Sequence, residues 1–382
     1  MMKMNKWTMA LAAAGVVSLP SVAQAQEAAA GADALAASTT LSGYVSTSYT
    51  MDGTNNGDPA GYFRSGEDNN RFALDVVSLT LASAQGAGEY ATGYTVQLWA
   101  GDAAGDIGTQ EESSTDGTLE TASTVELMQA NIDLRLPVGN GLDLKVGQMA
   151  TVVGAEVYDY DSNAFFTRSF GFAVEPTHHT GILASYQVND DLSVSLGLAN
   201  NTATASTNDK DSGSSVILTA VSYTTPDSLG VLGGAELYYG GVWGAEETAS
   251  NTKERDWHYF SASIPLPVEG LSYSVAWDVV DNSGMTDENK GDTNIVGHYL
   301  SYALSDKATL NVRYEHGNLN DGTTATPGTA AWASNVDGLE SLTVGLTYEL
   351  WDNVTSRVEW RDDSGDGVSD QEVVAWNVVY SF

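Results

Sequence analysis

Several charged residues of this chain stand in opposed sets two positions apart. Asp133 precedes Arg135, Asp143 precedes Lys145, Arg313 precedes Glu315, and Arg357 precedes Glu359 and Arg361. On a β-strand that spacing puts each set on one face. If that face met lipid, each Arg or Lys near mid-depth would cost roughly 2–4 kcal/mol. The sets therefore belong on a surface away from lipid. There they would either line a wet channel and set its local field, or knit a narrow interior shut through ion pairs. A second concentration lies in residues 151–177. Glu156, Asp159, Asp161 and Glu175 stand there against Arg168, among Tyr158, Tyr160, Phe165, Phe166, Phe170 and Phe172. A solvated loop with so many aromatics would be adhesive, and packing them on an inner wall removes that liability. The segment is the candidate constriction, with an outer loop sealing against its neighbours as the alternative. Acids at a constriction favour cations over anions.

Other chemistry is weaker. The five histidines, His178, His179, His258, His298 and His316, form no i, i+4 pair, so no metal site is expected from them. The absence of cysteine excludes thiolate ligands and thiol nucleophiles. Ser and Asp are plentiful, but no spacing picks out a triad, and no glycine-rich loop cradles a nucleotide. Neither an enzyme nor a cofactor is expected; a hydrolase is the weakest of the readings. Asp362, Ser364 and Asp366 resemble the front half of a calcium loop, although the closing Glu372 comes one place early. A solvated acidic rim that gathers divalent ions loosely is the preferred reading. Residues 101–122 add six acids and no base. With a formal charge of −35, nucleic acid is excluded as a partner, because phosphate contacts need a basic surface.

The elements that position these residues are legible as alternation. At the C-terminus Val374, Trp376, Val378, Tyr380 and Phe382 share one face, and Ala375, Asn377 and Ser381 the other, with Val379 the exception. Leu342, Val344, Leu346, Tyr348 and Leu350 oppose Ser341, Thr343, Gly345, Thr347 and Glu349 in the same way. About sixteen such segments recur, and fourteen or eighteen also fit; each is near the length that crosses a bilayer on a tilt. Short and long connections alternate, as in a closed antiparallel transmembrane β-barrel with short periplasmic turns and long external loops. A soluble β-sandwich alternates too, but its connections follow no such rule. Taken by level along the strands, Trp99, Trp243, Trp257, Trp277, Trp360 and Trp376 form an outer lipid-interface girdle, with Tyr380 and Phe382 at the opposite interface. Residues 1–25 read as a secretory signal, with Lys3 and Lys6 before a short apolar stretch and Ala23-Gln24-Ala25 at the cleavage site. Residues 26–38 form an Ala- and Gly-rich leader, and 39–382 the barrel.

Within residues 141–182, Gly147, Gly154, Glu156, Asn163, Arg168, Ser169, Pro176, His179, Thr180 and Gly181 form a connected pattern. It resembles the signature region of the OmpL-like β-barrel porin family. The resemblance implies an outer-membrane barrel with a pore function and no defined substrate; the acidic stretch 101–122 has no counterpart in it. The expected activity is passive diffusion of small polar solutes or ions with a weak cation preference. The alternative is a structural or surface-interaction barrel that displays acidic loops without conducting. Expected partners are outer-membrane lipid, the barrel assembly machinery and the solutes themselves, and a homotrimer is compatible with the fold.

Overall fold

In a membrane every backbone N–H and C=O must find a partner within the protein, and a sheet closed on itself meets that demand without an edge. The computed structural model describes residues 38–52, 70–107, 125–200, 215–246, 254–281, 292–319, 336–366 and 371–382. The expected signal (1–25), most of the leader, and most of the acidic stretch 101–122 lie outside these residues. Sixteen strands make one sheet: β1 (Thr39–Asp52), β2 (Phe72–Ser83), β3 (Thr92–Ala100), β4 (Val125–Leu136), β5 (Leu142–Ala150), β6 (His178–Gln187), β7 (Leu192–Asn200), β8 (Ser215–Thr224), β9 (Glu236–Glu246), β10 (Glu254–Pro265), β11 (Leu271–Asp281), β12 (Thr293–Ala303), β13 (Ala308–Leu319), β14 (Val336–Trp351), β15 (Val354–Asp366) and β16 (Gln371–Ser381). Each strand pairs antiparallel with its chain neighbours. β1 pairs with β16 from Tyr44↔Ser381 to Asp52↔Val373, which closes the barrel. Among the described residues no helix is long and apolar enough to cross a membrane.

The faces follow the alternation. In β16, Ala375, Asn377 and Val379 are buried inside, while Trp376 and Tyr380, and Phe382 just after the strand, are exposed outside. Val379, which interrupts the sequence pattern, is the inner wall's own apolar contact. Elsewhere the outside is apolar: Leu196 and Leu198 on β7 and Ile132 on β4 stay more than half exposed, the state that lipid contact suits. One end of the barrel carries tight connections. Between β14 and β15 the turn is Asp352-Asn353, and Asn353 takes φ 67°, a left-handed conformation that asparagine tolerates. Between β8 and β9 a 3-10 helix (Asp227–Leu232) intervenes, and β9 begins at Glu236. Two short helices complete the described structure: α1 (Asp102–Ile107) after β3, and α2 (Phe170–Val174) in the β5–β6 connection.

Candidate functional site

That connection, residues 151–177, does not stay outside. It folds into the barrel and touches the wall on several sides. Its six aromatic side chains, Tyr158, Tyr160, Phe165, Phe166, Phe170 and Phe172, are each 4 % exposed or less. Full burial stabilises such side chains by about 1.5–3 kcal/mol apiece, which gives the segment reason to leave water. Tyr158, Tyr160, Phe166 and Phe172 pack with Tyr44, Trp99, Ala375 and Val379 of the wall. Phe170 packs with Ile295, Leu319 and Leu339. Phe165 lies over Gly345, where a Cβ would stand 3.2 Å from its ring. The missing side chain on β14 is what leaves room for the ring.

Polar groups fix the segment's position. Internally, Asn163 accepts from Val157 N at 3.0 Å and donates to Val157 O at 2.6 Å and Asp159 O at 2.7 Å. Arg168 donates to Tyr158 O at 2.7 Å and Phe166 O at 3.2 Å, and its guanidinium lies 4.8 Å from the Tyr160 ring centroid. The planar, multi-donor guanidinium can hold two stretches of backbone at once. Ser169 caps α2, accepting from Phe172 N at 2.9 Å.

The wall supplies a ladder of charge from β13 and β15. Glu359 accepts from Phe166 N at 2.7 Å and Thr167 N at 2.9 Å. Glu315 accepts from Phe170 N at 2.7 Å and Gly171 N at 3.2 Å, at the start of α2. Arg313 donates to Thr167 O at 2.9 Å and pairs with Glu156 at 2.7 Å. Arg361 donates to Arg168 O at 2.6 Å, and Arg357 to Asp161 O at 3.3 Å. Further round the same wall, Tyr44 of β1 and Gln97 of β3 donate to Asp159 Oδ1 at 3.0 and 2.8 Å, and Gln97 accepts from Tyr158 at 2.7 Å. A third anchor is Trp257, which donates to Val174 O at 2.7 Å. Gly240 admits the start of the segment, for a Cβ there would strike Val152 O. The result is a strap tied to β1, β3, β10, β13 and β15, able to set the bore of the barrel.

Residues 38–382 match the family described as "Putative beta-barrel porin-2, OmpL-like". The chain belongs to this porin family. No curated protein matches it. Among solved structures, the outer membrane channel DcaP of Acinetobacter baumannii is similar at TM-score 0.59 and 10% identity, over 90% of this chain and 97% of that one. An anion-selective porin from Comamonas acidovorans is similar at 0.57 and 14%, over 90% and 99%. A trimer form of OmpT, an outer membrane protein of Vibrio cholerae, is similar at 0.55 and 10%, over 90% and 99%. At these identities the likeness is one of fold. The porin is thus an outer-membrane barrel, and the strap is the feature that could govern passage.

Not every expected site residue sits where the sequence suggested. Arg313, Glu315, Arg357, Glu359 and Arg361 do point inward, but each is 3 % exposed or less. They are covered by the strap instead of lining open water. Buried charges need partners, and the backbone of residues 161–171 provides them. Asp143 with Arg135 and Lys145 with Asp133 keep about a fifth to a quarter of their side-chain surface and pair at 3.3 and 2.8 Å near the short-turn end. Trp99 and Trp257 are corrected outright. They are 0 % and 4 % exposed and face the strap, so they are not girdle residues. Their strand parity with inward Gln97 and Tyr259 could have revealed this. Trp243, Trp277 and Trp376 are exposed outward, as are Tyr380 and Phe382, and Trp360 is half-buried beside them with its Nε1 on Glu372. The calcium candidates Asp362, Ser364 and Asp366 lie on extended β15 and not in a loop. Alternate residues of a strand stand about 7 Å apart and cannot converge on one ion.

Sequence reasoning missed Tyr44, Gln97 and Gln129, polar residues on the inner wall that nothing local distinguishes. Asp159 and Asp161 lie within the strap, Asp159 half-buried and Asp161 with an exposed surface. Burial first, and the charge of Asp161 second, raise the Asp159 carboxyl from 3.8 to about 7. Burial also raises Asp161. Beneath the strap a cavity opens toward the short-turn end, where Ser263 and Ser274 face each other across β10 and β11.

Proposed function

We propose that this porin is a passive diffusion channel for small polar solutes and ions, narrowed by residues 151–177 and weakly selective for cations. The observation that carries this reading is the strap itself, held across the lumen by hydrogen bonds from opposite walls. A barrel of about sixteen strands encloses an aqueous lumen unless something crosses it. A strap tied at both sides narrows the bore without moving on each passage. Its Asp159 and Asp161 put negative charge at the narrowing. Arg168 and the wall arginines are taken up by backbone carbonyls and carboxylates, so they offset that field only in part.

The same reading has residues 1–25 removed on export, the short turns in the periplasm, and insertion by the barrel assembly machinery. The trimer form of the similar OmpT favours a homotrimer as the working assembly. The contrasting reading is a silent barrel that only displays its loops. Proteoliposomes separate the two. Swelling in isosmotic sugars should be fast for the smallest and fall steeply with size, and a KCl gradient should give a cation-positive reversal potential. Replacing Asp159 and Asp161 with Asn should lower that potential. No swelling from a folded barrel would favour the display reading, and an unchanged potential would remove the strap acids from the selectivity.

A further inference from the structure

The cavity beneath the strap has an unusual lining. Three carboxylates, Glu156, Asp159 and Glu175, and the side chains of Tyr238, Tyr259 and Tyr299 contribute to it, and no Lys, Arg or His does. Two of the acids are already matched. Glu156 pairs with Arg313, and Asp159 accepts from Tyr44 and Gln97. Glu175 is different. It is 7 % exposed, and its Oε1 has no hydrogen-bond partner. Its carboxyl shares a hydrogen bond, and so a proton, with that of Asp278, and the acids Glu156 and Glu315 stand near the pair. Small residues make space for both carboxyls: a Cβ on Gly154 would press on Glu175 Oε2, and one on Gly171 on Asp278 Oδ2.

A buried carboxyl pair that shares one proton still keeps one negative charge, and that charge beside an open lone pair calls for a positive partner. The rest of the lining says which kind. Tyr238 and Tyr259 stand 5.9 Å apart by ring centroid at 53°, presenting aromatic surface beside the acid. Aromatic faces attract cations and accommodate the methyl or methylene groups of an organic one. A bare divalent ion is poorly served, since the described residues hold no group of three His, Cys, Asp or Glu side chains in metal-holding geometry. We propose that this cavity is a saturable subsite for a small organic ammonium ion, with the Glu175–Asp278 pair as the counter-charge and Tyr238, Tyr259 and Tyr299 as the surrounding aromatic surface. The proposal rests on the channel reading only in that the solute reaches the cavity through the lumen.

Binding and conduction can be tested apart. Calorimetric titration of the full, detergent-folded barrel with choline chloride reads the subsite. Its neutral carbon isostere 3,3-dimethyl-1-butanol is the control. Saturable heat is expected for choline and none for the isostere. Removing the charge of the pair with Glu175→Gln and Asp278→Asn together should weaken choline by about tenfold or more, and Tyr259→Leu by about tenfold. Asp190→Asn, on an exposed turn, should leave it unchanged. Heat-modifiable mobility on gels checks that each variant is a folded barrel. If the double variant does not fold, Tyr259→Leu alone decides. Absent binding, equal heat from choline and its isostere, or full affinity in the folded variants would overturn the subsite. Planar-bilayer conductance measured on the same preparation would show separately whether the channel reading stands.

Discussion

Removing the Glu359 carboxylate should release the strap from β15. Glu359 is 2 % exposed and accepts from two successive backbone N–H groups, Phe166 N at 2.7 Å and Thr167 N at 2.9 Å. Hydrogen bonds to a charged acceptor contribute about 1.5–3 kcal/mol each. Glu359→Ala therefore costs docking of the strap on the order of 3–6 kcal/mol, a rise in the undocked population of roughly two to four powers of ten. Water entering the gap recovers part of this, so the lower figure is the better guide. The substitution also leaves Arg357 and Arg361 without the carboxylate that separates them on the inner face of β15. Glu359→Gln keeps one acceptor oxygen and turns an NH2 toward the second N–H, so its effect should be close to that of the alanine variant. The assay is single-channel recording beside a heat-modifiability gel. Both variants should remain folded barrels, because the interstrand ladder does not depend on residue 359. Their conductance steps should be larger and noisier than wild type. Steps of unchanged size and noise in a folded Glu359→Ala barrel would refute the claim that this carboxylate holds the constriction.

Arg168→Lys should loosen the strap nearly as much as Arg168→Ala, since an ammonium cannot span the carbonyls of Tyr158 and Phe166; limited proteolysis within residues 151–177 would reveal it, and a lysine variant as resistant as wild type would contradict the guanidinium's role. Cation preference should fall as pH drops through about 7, where Asp159 takes up its proton, and Asp159→Asn should flatten that profile; reversal potentials at pH 8 and pH 6 read both effects. The same carboxyl works against folding as pH rises from about 4 to 7, because the folded state holds the proton longer than the unfolded one; above pH 7 this effect levels off. Gly240→Leu should displace the start of the strap at Val152 and raise conductance, whereas a leucine on a lipid-facing position of the same strand should not.

The barrel was legible because lipid on one side and protein or water on the other impose a period of two, and the closing strand Gln371–Ser381 shows it almost without error. The i, i+2 charge sets were legible as inward-facing for the same reason. What they face was not. Glu359 meets Phe166 from 193 residues away in the chain, and Arg313 meets Glu156 from 157, so no local pattern could announce either contact. Trp99 and Trp257 were misplaced by taking depth along the strand as the guide instead of parity, which puts them beside the inward residues Gln97 and Tyr259. Asp362, Ser364 and Asp366 looked like a loop because their composition is that of a turn, yet the ladder with β14, including Asp363↔Ser341, holds them extended. Tyr44 and Gln97 carry no signature at all, and only the folded strap gives them a role.

The most direct test of the constriction is to shorten it. In a barrel whose residues 158–167 are replaced by a short Gly-Ser turn, single-channel steps in KCl should be several times larger than those of the full chain, and larger sugars should pass in liposome swelling. Equal steps and an equal size limit in the two folded barrels would contradict the account, because passage would then be governed somewhere other than the strap.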